Sequence, residues 1–288
     1  MNNRTFIKLG IGVIGLLIGF SSCQDVVEVD TPSEDPRLVV DALIRVDTSQ
    51  QFTNFVVKVS QTNSFFEPVP PAGLQQISFT NLENGEGDVL VELEEGSGIY
   101  QNPEPFLTEN LINGEIILQI DFEDSFYVAY AEFQPTVPFD EVEQGPGGLF
   151  DEDDFEVVVT FTDNGDRDDW YLFDFDLTEF LASRDQFYQG QQFSFSYFYD
   201  AEIEPGAEVE ISIMGVDERF HDYMNKVIEQ SAQNFGFFET PSLTVRGNLI
   251  NATDIDNDGI FDNTANTNNF ALGYFAIVQE FKETLVIE

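Results

Sequence analysis

Two groups of residues in this chain have types and spacing that carry chemistry. The first is Asp254-Ile255-Asp256-Asn257-Asp258-Gly259-Ile260-Phe261-Asp262. Asp254, Asp256 and Asp258 hold the first, third and fifth positions of a loop, so their carboxylates converge on one point. Gly259 permits a sharp turn, and the carbonyl of Ile260 can point inward, as in the opening half of an EF-hand calcium loop. The closing half departs from that pattern. Ala265 stands where the bidentate Glu belongs, which leaves Asp262, at the ninth position, as the remaining candidate ligand. An all-oxygen set of this kind selects Ca²⁺ over softer metals. A solvated Asn/Asp loop is the alternative.

The second group ends at Cys23, the only cysteine. Arg4 and Lys8 make a short positive start, residues 9–20 are uncharged and largely apolar, and Ser21-Ser22 precede the thiol. That run is well short of the roughly 20 residues a membrane-spanning helix needs. A charged start, a short apolar middle and a small-residue end mark a cleaved signal, residues 1–22. Cys23 is then the lipid-accepting first residue of the mature chain. One acyl chain anchors only marginally, whereas the two or three carried by bacterial lipoproteins suffice. With its sulfur acylated the protein has no free thiol, which excludes disulfides, thiolate catalysis and cysteine metal sites.

Composition narrows the partners. Among 288 residues there are 54 acidic and 11 basic, for a net charge of −43, and residues 59–166 contain no Lys or Arg. Nucleic acid is excluded, because its binding needs cations against phosphates. Divalent cations, basic partners and neutral ligands remain compatible. The ligand itself is not legible. Thirty Phe and nine Tyr supply ample core.

Other chemistry lacks parts. His221 is the only histidine and sits beside the apolar stripe of a helix, as a surface or half-buried residue. Zinc hydrolase and cysteine-protease arrangements are therefore incomplete. No Gly-x-Ser-x-Gly elbow or phosphate-cradling glycine loop occurs. Carboxylate pairs such as Glu94-Glu95 admit a glycosidase only as a low-ranking alternative. Asp163, Asp166, Asp168 and Asp169 form a second acidic turn whose spacing suits calcium less well; a structural turn is the first reading and a calcium site the second. Trp170-Tyr171 and Phe237-Phe238 are stacking faces or, more simply, core.

The positioning elements are strands. After a Pro-bearing tether, 23–36, period-two runs at 37–45, 55–59, 77–80, 89–93, 115–121 and 126–133 predict a first domain, 37–138, of immunoglobulin-like sandwich type. Asn84-Gly85-Glu86-Gly87 is a hairpin signal within it. Residues 139–154, with Gly145-Pro146-Gly147-Gly148 and a run of acids, predict a linker. A second β-sandwich-like domain, 155–288, follows with strands at 155–162, 170–177, 192–199 and 208–214. Period two then gives way to period 3.6: Val216, Phe220, Tyr223, Met224 and Val227 share one face of a helix near 217–232, with Asp217 as N-cap, packed on the second sheet. Residues 270–278 and 285–287 close the fold. The expected class is all-β, with two sandwich-like domains and one packed helix.

This order of segments resembles a large family of Bacteroidota outer-membrane lipoproteins classed as a domain of unknown function. The shared pieces are the Cys23 signal, Pro36-Arg37-Leu38-Val39-Val40-Asp41-Ala42-Leu43-Ile44, Gly98-Ile99-Tyr100, Gly114 before a strand, and Tyr127-Val128-Ala129. The acidic turn from Asp163 to Tyr171, the aromatic turn Gln186-Phe187-Tyr188-Gln189-Gly190, Arg246-Gly247-Asn248-Leu249-Ile250-Asn251 and Leu272-Gly273-Tyr274-Phe275 complete them. The acidic stretch Gln24-Asp25-Val26-Val27-Glu28-Val29-Asp30 is similar to the surface-export signal of such lipoproteins. The resemblance implies an outer-membrane, surface-exposed protein, with the periplasmic face as the alternative. It also implies a non-enzymatic accessory role beside a TonB-dependent transporter. A calcium-stiffened adhesion or scaffold module is the competing expectation.

Overall fold

Alternating apolar side chains turn Leu38–Val46 into strand β1, whose even-numbered residues Leu38, Val40, Ala42, Ile44 and Val46 are buried. The computed structural model of the chain describes residues 35–64, 67–147, 155–199, 203–232, 245–255, 261, 263 and 269–288. Next come β2 (Phe52–Thr53), β3 (Val56–Gln61), β4 (Gln76–Asn81), β5 (Gly87–Val89), β6 (Val91–Glu92), β7 (Ile99–Gln101) and β8 (Phe106–Leu107). A one-turn helix α1 (Glu109–Ile112) leads into β9 (Glu115–Phe122), β10 (Ser125–Gln134) and β11 (Phe139–Gln144). Then follow β12 (Glu156–Thr162), β13 (Trp170–Asp174), β14 (Phe180–Arg184), a 3₁₀ turn at Asp185–Phe187, β15 (Gln192–Phe198) and β16 (Glu208–Val216). Helix α2 (Glu218–Ala232), β17 (Ile250–Asn251) and β18 (Leu272–Val286) finish the chain. The all-β expectation holds, and residues 35–288 form one compact unit.

The first core sits inside a ring of strands. Pairing runs β5-β4-β9-β10-β18-β1-β3-β7-β6. Its two ends, β5 and β6, are consecutive pieces of one extended stretch divided by inward-pointing Leu90, so the path returns to its start. β5 pairs with β4 and β6 pairs with β7. This differs from the free-standing immunoglobulin-like sandwich expected for 37–138. The ring borrows β18 from the far end of the chain, a partner no local pattern announces. Inside, Phe55 and Phe79 stack face to face at 3.9 Å, with Phe106 edge-on to Phe79 at 4.9 Å.

β10 and β18 pair only at Phe133↔Ile277 and Gln134↔Val278, and the gap opened as they part is filled from residues 248–251. The Asn248 amide donates to the carbonyls of Phe275 and Tyr130 and accepts from the Phe275 N–H. One side chain thus bridges two separated strands. It needs a very close approach of backbones. Gly273 lies opposite Val40 in the parallel β1–β18 ladder at φ +94°, and a Cβ there would stand 1.9 Å from the Val40 carbonyl oxygen. A Cβ on Gly247 would meet the Gly273 oxygen at 1.6 Å.

A second core lies between two sheets. β11, β12 and β15 form one sheet, and β14, β13, β16 and the end of β18 the other. Val157, Val159, Phe161, Tyr171, Phe173 and Ile213 are among the residues buried between them. Phe139–Gln144, expected in the linker, is strand β11, because Phe139 and Val142 have this core to enter. Helix α2 begins where predicted. Asp217 Oδ1 accepts from the Phe220 N–H at 2.7 Å, and Phe220 and Tyr223 pack on Tyr274 of β18, alongside Leu172 of β13 and Met214 of β16.

β18 itself is one 15-residue strand, not the two short runs read from the sequence. Charges at 280–283 hide its continuity. Two of them are matched: Arg45 bonds Glu280 at 3.0 Å, as well as Asp174 at 2.7 Å, and Lys282 bonds Glu210 at 3.0 Å, while Glu283 is exposed. Burial works against the Arg45 charge, but the two carboxylates outweigh it and hold the guanidinium above its ordinary range.

Gly273→Ala meets both a left-handed backbone and a neighbouring carbonyl. It is expected to lower unfolding free energy by about 3 kcal/mol or more, whereas Gly206→Ala, on an open turn, costs about 1 kcal/mol. Urea melts followed by circular dichroism compare the two.

Candidate functional site

The calcium-loop residues Asp256, Asp258, Ile260 and Asp262 lie outside the described residues, as do Cys23 and Phe237-Phe238. Asp254 is described, and so is the base from which the loop springs. That base is a knot of amides. Asn251 and Asn263 are almost wholly buried. The Asn251 N–H donates to Asn263 Oδ1, and its side-chain amide donates to Asn269 Oδ1 at 3.0 Å. Asn263 donates to the Asn269 carbonyl at 2.8 Å, and Asn269 donates to Asp254 Oδ2 at 3.2 Å. Arg246 reaches the Asn263 carbonyl at 3.1 Å. Beside the knot, the guanidinium carbons of Arg246 and Arg37 lie 4.1 and 4.2 Å from the centre of the Phe270 ring. Amides suit this position, since each carries a donor and an acceptor and so satisfies buried backbone groups of both kinds. Among the described residues no group of three or more His, Cys, Asp or Glu is arranged to hold a metal.

The second acidic turn is a finished structural device. Asp163, Asp169 and Asp185 are all buried. The Tyr171 hydroxyl bonds Asp163 and lies 3.2 Å from Asp169 Oδ2. Arg167 Nε donates to Asp169 Oδ1 at 2.6 Å, the Gly190 N–H to Asp163 Oδ2 at 2.6 Å, and the Asp169 N–H to Asp185 Oδ2 at 2.7 Å. The carboxylates are thus supplied with donors and face one another, not a cleft. Asp166 and Asp168, also read as part of the turn, are exposed. Two segments that the sequence presented separately, 163–171 and 186–190, meet here. Asp185 is the member sequence reasoning missed; its only signal was the turn it opens. Burial pushes Asp169 up, and Arg167 counteracts this only in part.

His221 is buried, not surface or half-buried as expected, because Phe220 beside it draws this turn of α2 onto β18; its ring meets Asp222 and Asn225. Glu94 and Glu95 are exposed side by side. Trp170 and Tyr171 belong to the cores. A recess between β10, β18 and the start of α2 has a volume of about 20 Å³. That is room for one water; a wider, open hollow of about 350 Å³ lies over β4 and β5, lined by Ser78, Thr80, Gly85, Gly87, Asp88 and Val89. No helix among the described residues is long and apolar enough to cross a membrane.

These features define a β-rich chain whose polar clusters are built to hold strands and loops together. The chain belongs to the family described as a domain of unknown function, DUF4249, whose model matches residues 24–283. No curated protein matches it.

The buried tyrosines set an alkaline limit. Burial, then Asp163, raises the Tyr171 pKa far above its ordinary value, and burial raises Tyr188 to about 12. Folded values above the unfolded value of roughly 10 mean stability fully present below pH 10 and lost as pH rises through the folded values. Most of the rise in tyrosinate absorbance at 295 nm should therefore come as one steep step with cooperative unfolding, rather than gradually from pH 10. Tyr171→Phe, which strips two buried carboxylates of a shared donor, is expected to cost about 1–3 kcal/mol at pH 7.

Proposed function

We propose that this chain is an outer-membrane lipoprotein, anchored through Cys23 and displayed at the cell surface. In this reading it serves as a non-enzymatic binding or accessory subunit of a TonB-dependent uptake system. The observation that carries the reading is where the family match begins. It starts at residue 24, the residue after Cys23, so the part common to the family coincides with the chain left by cleavage before that cysteine. The charge supports it as well. At −43 the protein repels nucleic acid and anionic head groups, and a covalent lipid supplies the membrane attachment that such a surface cannot. The arrangement of polar residues favours binding over catalysis, since the buried carboxylates are engaged with internal donors.

Affinity purification from detergent-solubilised envelopes tests it. The expected result is co-purification of a β-barrel transporter, with an amino-terminal peptide whose mass shows two or three acyl groups on Cys23. An unmodified thiol on protein released into the medium, or a clean monomer from the envelope, overturns the reading.

The amide knot favours a second reading, a calcium-stiffened adhesion or scaffold module. Asn251, Asn263 and Asn269 close the base of the 254–262 loop, and Asp254 stands at its rim. A base fixed in this way lowers the entropy cost of closing the loop around a cation. Ca²⁺ at a hundredfold its dissociation constant should stabilise the fold by about 2.7 kcal/mol. Calorimetric titration and thermal melts read this directly, with Asp256→Asn/Asp258→Asn losing both signals. No heat and no gain in melting temperature removes the idea.

A further inference from the structure

The ring of strands turns a row of apolar side chains outward where it closes. β5 and β6 are joined through Leu90, which points into the core, so Val89 and Val91 share the outer face, with Leu93 in the bend that follows them. They are 49, 50 and 54 % exposed. Register extends the row sideways. Val91 and Val56 both lie opposite Gln101, and Val56 is 38 % exposed. The Leu93 N–H donates to the Ile99 carbonyl at 2.8 Å, which sets half-buried Ile99 beside it. Five apolar side chains thus meet on one outer surface of β3, β7, β6 and β5. Scattered exposed apolar residues are ordinary; a cross-strand cluster marks a contact surface.

Its surroundings choose the occupant. Glu86, just before β5, and Glu94 and Glu95, just after Leu93, are exposed, while Lys58, opposite Ile99, is the one cation in these strand rows. No other Lys or Arg follows until Arg167. A second copy of the chain would bring the same acids, and an anionic lipid surface would be repelled. A partner carrying apolar side chains flanked by Lys and Arg meets both the greasy strip and its rim, and gains in association rate as well.

We infer that the Val89, Val91, Leu93 strip, with Val56 and Ile99, is the docking surface for a basic amphipathic segment of a partner protein. This rests on the accessory-subunit reading and supplies its contact face.

Site-specific photo-crosslinking in intact cells tests it on the full chain. A photoreactive phenylalanine analogue replaces Leu93, and a control replaces Leu177, which is equally exposed but outside the strip. The expected result is an adduct from position 93 only, whose captured peptide alternates apolar residues with Lys or Arg. Its yield should fall about tenfold when Val89→Thr/Val91→Thr is added, a β-compatible change that leaves charge untouched. Glu94→Lys/Glu95→Lys, which leaves every apolar residue in place, should lower it too, so a poorly folding threonine variant does not decide the matter. Crosslinks to a second copy, to lipid or to an acidic or neutral segment overturn the inference, as does a yield no greater than at position 177. Transporter co-purification undiminished by Val89→Thr/Val91→Thr sinks this surface alone. A basic segment captured from some other protein sinks the transporter reading alone.

Discussion

Strand β18 is hydrogen-bonded along almost its whole length, but never to one neighbour throughout. Its first half runs parallel to β1 from Leu272 to Gln279, and its second half pairs antiparallel with β16 from Glu280 to Val286. The switch falls at Gln279–Glu280, beside the Arg45 guanidinium that joins Glu280 to Asp174. One face of the strand's first half completes the ring core through Phe275 and Ile277. Its other face carries Tyr274, Ala276 and Val278 to α2, and its far end carries Phe281 and Leu285 to the second core. Two cores and a helix therefore depend on one strand's register. A slip by a single residue would exchange its buried faces. The register is pinned by the position where Gly273 passes within touching distance of Val40, which no side chain larger than hydrogen tolerates.

The scarcity of positive charge fits the same plan. Arg45 ties the ring to the second sheet, Arg167 serves the buried carboxylate cluster, Lys282 joins β16 to β18, and Arg37 and Arg246 lie against Phe270. These cations stand where elements distant in sequence meet. Most other acids among the described residues face solvent. A partner attracted by this field approaches a surface that offers few competing cations of its own, which favours association rate and discrimination between partners more than raw affinity.

How far the sequence revealed this differs by element. Strands with clean alternation, such as Leu38–Val46 and Glu115–Phe122, were legible because one face of each is buried, and that imposes period two. Helix α2 was legible from its stripe and from Asp217, whose cap forms as expected. The ring was not legible, since the first and last strands of a chain carry no mark that they will pair. β18 read as two pieces because its charges looked like a break, whereas Glu280 and Lys282 each have a partner from another strand. In the acidic turn the residues were visible but not their purpose. Asp163, Asp169 and Asp185 become a structural cluster only once Tyr171 and the Gly190 N–H are brought between them. The separate motifs Arg246-Gly247-Asn248 and Leu272-Gly273-Tyr274 likewise gain a common cause: two glycines and one amide let three backbones share a space.

If the chain is anchored through Cys23 as proposed, the direction of β1 bears on the load the fold must withstand. A pull transmitted through the residues preceding Leu38 enters the fold at the start of β1. That strand is flanked on both sides, by β18 in parallel over eight registered pairs and by β3 antiparallel over four. A load along the strand must shear these ladders together, because neither neighbour can be peeled away one bond at a time. Resistance to such a load is governed by the rate of unfolding, not by equilibrium stability. The close approach of Val40 and Gly273 lies within two pairs of the point of entry, so the most tightly registered part of the ladder meets the force first. A strand attached at an edge, with one neighbour, would have served the same core but yielded by unzipping. Placing the first strand between two others, and locking it to the strand that both cores share, makes the junction nearest the proposed anchor the one that the whole fold must fail with.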